Sequence, residues 1–116
     1  MYARFGLFIG GAWTKPLDGN YAPVVSPVTE DALGECPVAS VADTAAAIAS
    51  ADAGFKAWRA TPAFSRADSI HRIADELVRR ADEGARMIST ETGKPIAQAQ
   101  REWALSVDQF RWYAEE

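Results

Sequence analysis

The side chains able to do chemistry in these 116 residues are few, and their spacing does not assemble them. Cys36 is the single cysteine and is followed by Pro37. Its thiolate would be a nucleophile, but activation needs an adjacent base or cation, and no motif around it supplies one, so a structural role is expected. His71 is the only histidine, which excludes a histidine-rich metal site, and it falls beside Asp75 on the polar side of a helix. Ser65 or Ser69 with His71 and an aspartate has the composition of a hydrolytic triad, yet all would sit on one helix and point in different directions, whereas a triad requires convergence. Gly93-Lys94 suggests a phosphate loop, but the G-x-x-x-x-G-K-[ST] spacing fails at both ends, at Ile88 and at Pro95. Lys94 is expected to hydrogen-bond carbonyls near a helix end. Gly6, Gly10 and Gly11 lack the G-x-G-x-x-G spacing that brings backbone N–H groups to a pyrophosphate. No catalytic and no cofactor-binding residue is therefore assigned.

Two kinds of element must position these residues. Residues 1–39 are strand-rich and broken by Gly and Pro, with Tyr21 to Val25 and Leu33 to Val38 expected to pair across a turn from Pro27 to Asp31. Phe5 to Trp13 is an apolar run interrupted by glycines and reads as a strand entering a Gly-Gly turn rather than as a secretory signal. Residues 40–116 are helical. Ser40 or Asp43 can cap a helix running to about Ala57, rich in alanine and given bulk by Ile48, Phe55 and Trp58. Pro62 separates it from a second helix, where Ser65 and Asp68 stand at capping-box spacing and Ile70, Ile73, Ala74, Leu77, Val78 and Ala81 recur at helical period. Gly84 allows a bend, Gly93 ends that stretch, and Pro95 suits the first turn of the last helix.

Asp68/Arg72, Asp75/Arg79, Glu76/Arg80 and Asp82/Arg86 are spaced for i to i+4 ion pairs worth ~0.2–0.5 kcal/mol each, the pattern of a solvated face. The last helix is different. Ile96, Ala99, Trp103, Val107, Phe110 and Ala114 trace one face, while Leu105 and Trp112 stand nearly opposite. A helix apolar on two sides must be covered on two sides, and a small antiparallel strand unit with three to four helices has too little surface for both. The pattern predicts an excised or truncated segment, or else an exposed patch prone to association.

Several motifs occur in a telling order: Leu7-Phe8-Ile9-Gly10-Gly11-Ala12-Trp13, then Ser26-Pro27-Val28-Thr29-Glu30, then Phe55-Lys56-Ala57-Trp58, then the helix from Ser65 that leads to Glu91-Thr92-Gly93-Lys94-Pro95. Together they resemble the amino-terminal region of the aldehyde dehydrogenase superfamily, whose members oxidise aldehydes to acids with NAD or NADP. The second motif resembles the family's Asn-Pro-Ala-Thr-Gly-Glu turn, with Ser26 in place of Asn and Glu30-Asp31 following Thr29. The resemblance implies an α+β segment of the larger α/β dehydrogenase fold, residues 1–116 forming one amino-terminal part of the cofactor-binding domain. It also implies a reaction through a cysteine thiohemiacetal, hydride transfer to NAD or NADP and thioester hydrolysis, with nucleophile and general base in motifs absent here. On this reading the chain alone is inactive and binds no dinucleotide, and its partner is the remainder of its own chain in a homo-oligomer. Some family members hold a structural cation through a backbone carbonyl before the Asn-Pro turn and an acidic side chain before Thr-Gly-Lys-Pro. Those positions are Val25 and Glu91, whose oxygens suit Na⁺ or Mg²⁺; an ordinary helix-end carboxylate is the simpler expectation for Glu91. The run Trp112-Tyr113-Ala114-Glu115-Glu116 somewhat resembles semialdehyde-oxidising members such as succinate-semialdehyde dehydrogenases.

Size and charge agree with that reading. A dinucleotide-binding sheet plus a substrate domain needs more than ~250 residues at typical domain sizes, so a complete dehydrogenase does not fit. With 48% hydrophobic residues the composition is globular, and a net charge of −4 gives no basic footprint for nucleic acid. No stretch approaches the ~18 apolar residues of a membrane span, and a lone cysteine favours a cytoplasmic setting. The competing expectation is a stand-alone interaction module that binds another protein through Trp103, Phe110 and Trp112.

Overall fold

Two consecutive glycines turn the chain at its start. In the computed structural model, which describes residues 5–116, β1 (Leu7–Ile9) pairs antiparallel with β2 (Ala12–Thr14), placing Phe8 opposite Trp13. Gly10 and Gly11 form the two-residue connection with φ of 62° and 81°, the left-handed pair that a tight hairpin of this twist requires. The Phe8 and Trp13 rings lie 5.1 Å apart on one side of it. A second hairpin follows, β3 (Tyr21–Val25) with β4 (Ala32–Pro37), Tyr21 opposite Pro37 and Val25 opposite Ala32, with an irregularity between Val24 and Val25.

The turn between β3 and β4 is organised by Ser26. Its buried hydroxyl accepts hydrogen bonds from the Val28 and Thr29 N–H groups at 3.3 and 3.2 Å, and its own N–H donates to the Asp31 carbonyl at 2.9 Å. A short hydroxyl side chain bonding the backbone two and three residues on is an effective substitute for asparagine. The turn closes with the Glu30 N–H on the Ser26 carbonyl at 2.9 Å, which holds Glu30 at φ 62°.

Helix α1 (Val41–Ala60) begins at a reciprocal cap involving both expected residues. The Asp43 N–H donates to Ser40 Oγ at 3.1 Å, while the Ser40 N–H donates back to Asp43 Oδ2 at 2.9 Å, so two otherwise orphaned donors are satisfied. The helix runs beyond the expected Ala57 to Ala60, since neither Gly nor Pro falls between Ala57 and Thr61, whose helical conformation Pro62 disfavours. These elements form one compact unit ending at Ala60; Thr61–Glu116 forms another.

The second unit is α2 (Ala63–Arg79), α3 (Ala81–Thr92) and α4 (Ile96–Glu115), with both α2 and α3 packed on α4. The expected Ser65–Asp68 cap is not used. Pro62, at φ −55° and ψ 145°, is the N-cap, and the helix starts two residues before Ser65 because proline presets the entry that a side chain would otherwise stabilise. Gly84 is not the bend either: the break falls at Arg80, and Gly84 lies buried in the first turn of α3. Gly93, at φ 72°, closes α3 as expected, and Pro95 is the N-cap of α4, one residue before its first turn.

The interior of this unit is built from small residues. Ala74, Ala85 and Ala99 are fully buried, with Val107 and Ala114 nearly so, and among the described residues no large side chain is fully enclosed. Alanine at helix contacts permits close approach but buries little apolar area. The surface charges also depart from the i to i+4 expectation. Arg80 grips Glu83 with two hydrogen bonds of 2.8 and 2.6 Å, Arg79 pairs with Glu76, and Arg72 donates to Ser69 Oγ. These three arginines reach three residues instead of four, and Arg80 does so with its guanidinium fork on both Glu83 oxygens.

Candidate functional site

Cys36 lies exposed in β4, in register with Ala22 across the hairpin and followed by Pro37. No activating group is set opposite it by that register. His71 reaches from α2 to the end of α4, where its Nε2 is 2.9 Å from Glu115 Oε1. Ser69 Oγ donates to the Ser65 carbonyl at 2.8 Å. Ser65, Asp68, Ser69 and His71 line one groove without forming a triad, because the Ser69 hydroxyl is bonded to the Ser65 backbone and the His71 ring to Glu115.

The Glu91–Pro95 segment is a locked corner between two helices. The Gly93 N–H donates to the Ser89 carbonyl at 2.9 Å, Thr92 Oγ1 to the Ile88 carbonyl at 2.6 Å, and Ser89 Oγ to the Lys94 carbonyl at 2.7 Å. The Lys94 ammonium forms an ion pair with Glu102 on α4, not the expected bonds to helix-end carbonyls; the αL turn at Gly93 already carries the C-cap. Gly93 and Lys94 both spend their N–H groups inside the corner. Gly10 and Gly11 connect two strands, not a strand to a helix. Neither place fits a dinucleotide phosphate, which needs free backbone N–H groups at the start of a helix.

Val25 ends β3 beside the register irregularity, and Glu91 is exposed in the last turn of α3. They belong to different units. Their donor atoms, a carbonyl and a carboxylate, are of the hard type that suits Na⁺ or Mg²⁺. Among the described residues no cluster of three or more His, Cys, Asp or Glu is arranged to hold a metal.

Of the four aromatic residues of α4, Trp103 stands apart from Phe110, Trp112 and Tyr113. Trp103 is half-buried, its indole Nε1 donating to the Leu77 carbonyl at 2.8 Å, and with Val78, Ala104 and Val107 it lines a shallow apolar cleft of about 280 Å³. Phe110 and Trp112 are exposed, Trp112 to 67%. Trp103 is thus committed to the packing of α2 and α3 on α4.

The sequence profile of the aldehyde dehydrogenase family matches residues 13–116. The chain belongs to the aldehyde dehydrogenase family. It is 35% identical over 109 residues to glutarate-semialdehyde dehydrogenase of Pseudomonas aeruginosa, covering 94% of this chain and 23% of that protein. It is 33% identical over 108 residues to the NADP⁺ succinate-semialdehyde dehydrogenase of Escherichia coli, with 93% of this chain and 22% of that protein covered. The crystal structure of succinate-semialdehyde dehydrogenase from Burkholderia pseudomallei superposes with a TM-score of 0.91 at 33% identity, over 98% of this chain and 23% of that one. The chain therefore spans about a quarter of the length of these dehydrogenases and is similar to their amino-terminal region.

Four residues that organise this aldehyde dehydrogenase segment were not singled out for those roles by spacing. Asp43 bonds the Leu17 N–H, 26 positions away, and no local pattern announces that contact. Gly84 and Trp103 meet between α3 and α4, a pairing no periodicity encodes. Glu30 occupies the left-handed position of its turn, and the comparison with Asn-Pro-Ala-Thr-Gly-Glu, which has glycine there, was the available signal.

Proposed function

We propose that this chain is the amino-terminal part of an NAD(P)-dependent aldehyde dehydrogenase that oxidises an aldehyde, with semialdehydes the favoured class, to the carboxylic acid. The continuous family match over residues 13–116 carries this reading. Relatives named for glutarate and succinate semialdehydes support the substrate class. The reactive cysteine, the general base and the dinucleotide site belong to sequence outside these residues, and the 116 residues alone are inactive. Residues 1–116 serve as one part of the cofactor-binding domain, the remainder of the chain being their main partner within a homo-oligomer. No helix among the described residues is long and apolar enough to cross a membrane. The exposed, unbridged Cys36 is consistent with a reducing, cytoplasmic setting.

The competing reading, a stand-alone interaction module, has the exposed Phe110 and Trp112 in its favour, but Trp103 is held in packing. The two are separated by purifying the protein from its native source with an antibody to residues 65–100, measuring its intact mass, and assaying NAD⁺ and NADP⁺ reduction with succinate and glutarate semialdehydes. The expected result is a species about four times heavier than 12.6 kDa that reduces the dinucleotide when aldehyde is added. A species of 12.6 kDa without aldehyde-dependent reduction overturns the dehydrogenase reading and favours the module.

A further inference from the structure

The β2–β3 connection and the start of α1 share one buried carboxylate. Asp43 is 5% exposed and is the only buried residue of α1. It accepts the Ser40 N–H at 2.9 Å and the Ser40 hydroxyl at 2.8 Å, while the Leu17 N–H stands 3.1 and 3.3 Å from its two oxygens. Leu17 follows the buried Pro16, whose carbonyl receives the Gly19 N–H at 2.9 Å, so the connection folds into a turn just where it meets the helix. Ile48, Phe55 and Trp58 are all exposed, which leaves this attachment polar and local.

We propose that Asp43 is an acid-sensitive latch, a positioning residue whose ionised carboxylate fastens the β2–β3 connection to the first turn of α1 and whose protonation frees the Leu17 amide. Its partners are two backbone N–H donors and one hydroxyl, so a neutral carboxyl would bring a hydrogen with one possible acceptor and would exchange charge-assisted bonds for weaker ones. Among the described residues of the elements beside it, Lys15 and Asp18 lie on the connection, β1 and β2 carry no charge, and the next charge along α1 is Asp52. The Ser40 N–H, reinforced by the Ser40 hydroxyl and the Leu17 N–H, holds the carboxyl below its ordinary value of 3.8 against the opposing effect of burial. The latch is therefore closed above the ordinary value and opens as pH falls through the lower native one.

Amide hydrogen exchange resolved by residue, corrected for intrinsic rates across a pH series, tests this on the 116-residue chain. The wild type should lose protection at Leu17 and Ser40 in step with titration of the Asp43 carboxyl followed by carbon NMR, while the Trp103 indole in the other unit stays protected. Asp43→Asn should lower Leu17 protection about tenfold or more at neutral pH, the factor expected for loss of a hydrogen bond to a charged group, and remove its pH dependence. Ser40→Ala should leave Leu17 protected and expose the Asp43 amide. Leu17 protection that ignores the Asp43 titration, or that survives in Asp43→Asn, overturns the latch. So does joint loss of Trp103 indole protection, which would make the carboxylate a support of the whole chain instead of this junction.

Discussion

Gly84 in α3 faces the six-membered ring of Trp103 in α4 so closely that a Cβ built on it would overlap three ring carbons. The ring cannot simply move aside, because its Nε1 is tied to the Leu77 carbonyl of α2. In an exposed helix, alanine is better than glycine by roughly 1 kcal/mol. Here the sign should reverse: overpacking costs typically ~1–3 kcal/mol, so Gly84→Ala is expected to destabilise the second unit by about 1 kcal/mol. Chemical denaturation followed by tryptophan fluorescence reads it. A gain in stability would mean that the ring has room to shift and that the contact is not a constraint.

Glu30 bears a local strain that a single substitution should relieve. At φ 62° a residue with a Cβ is disfavoured by roughly 1–2 kcal/mol, and glycine returns part of that through the greater freedom of its unfolded chain. Glu30→Gly is expected to raise stability by about 1 kcal/mol or less, with the Ser26 hydrogen bonds unchanged. Thermal unfolding of the two proteins side by side decides it; an unchanged or lowered midpoint would show that the turn accommodates glutamate without strain.

Local chemistry in this chain was readable where one segment decides its own structure. The Gly10-Gly11 hairpin, the Ser40 cap and the αL end at Gly93 each follow from residues within a few positions. The α+β order of small antiparallel pairs followed by helices was legible for the same reason. What spacing concealed is nonlocal or competitive. Ser65 and Asp68 offered a cap, but Pro62 had already set the entry to α2. Gly84 looked like a hinge because the ring that needs its missing side chain lies on another helix. Lys94 looked like a carbonyl donor because Glu102 is eight residues on. The chemical residues were legible mainly as separate groups, and the hydrogen bonds of His71 and Ser69 keep them so.

Glu83 should contribute a small acid-dependent increment to the second unit. Its hydrogen bonds from Arg80 hold the carboxyl below its ordinary value of 4.5, and the same contact raises Arg80. A carboxyl so lowered adds stability that is present above the ordinary value and is lost as pH falls through the native one. Both side chains are about half exposed, so the increment should be small and diminish with added salt. Denaturant midpoints measured from neutral to acid pH should fall less steeply for Glu83→Gln than for the parent, with the two curves converging at the acid end. Parallel curves would mean that the pair seen in the structure makes no net contribution.

The far side of α4 sets how these residues behave when isolated. Leu105, Trp112 and Tyr113 are 63, 67 and 68% exposed, while Ala99, Val107 and Ala114 on the same helix are buried against its neighbours. Burial of such surface is worth roughly 25 cal/mol per Å², enough for several uncovered side chains together to favour association at high concentration. The isolated chain should therefore bind an apolar fluorescent dye and show a sedimentation coefficient that rises with concentration. The double variant Leu105→Gln, Trp112→Ser should reduce both effects while leaving the helical circular dichroism unchanged, since neither side chain is part of the packing of α2 and α3 on α4. Association that persists undiminished in the double variant would move the responsible surface elsewhere, first to the exposed Val41, Ile48 and Phe55 of α1.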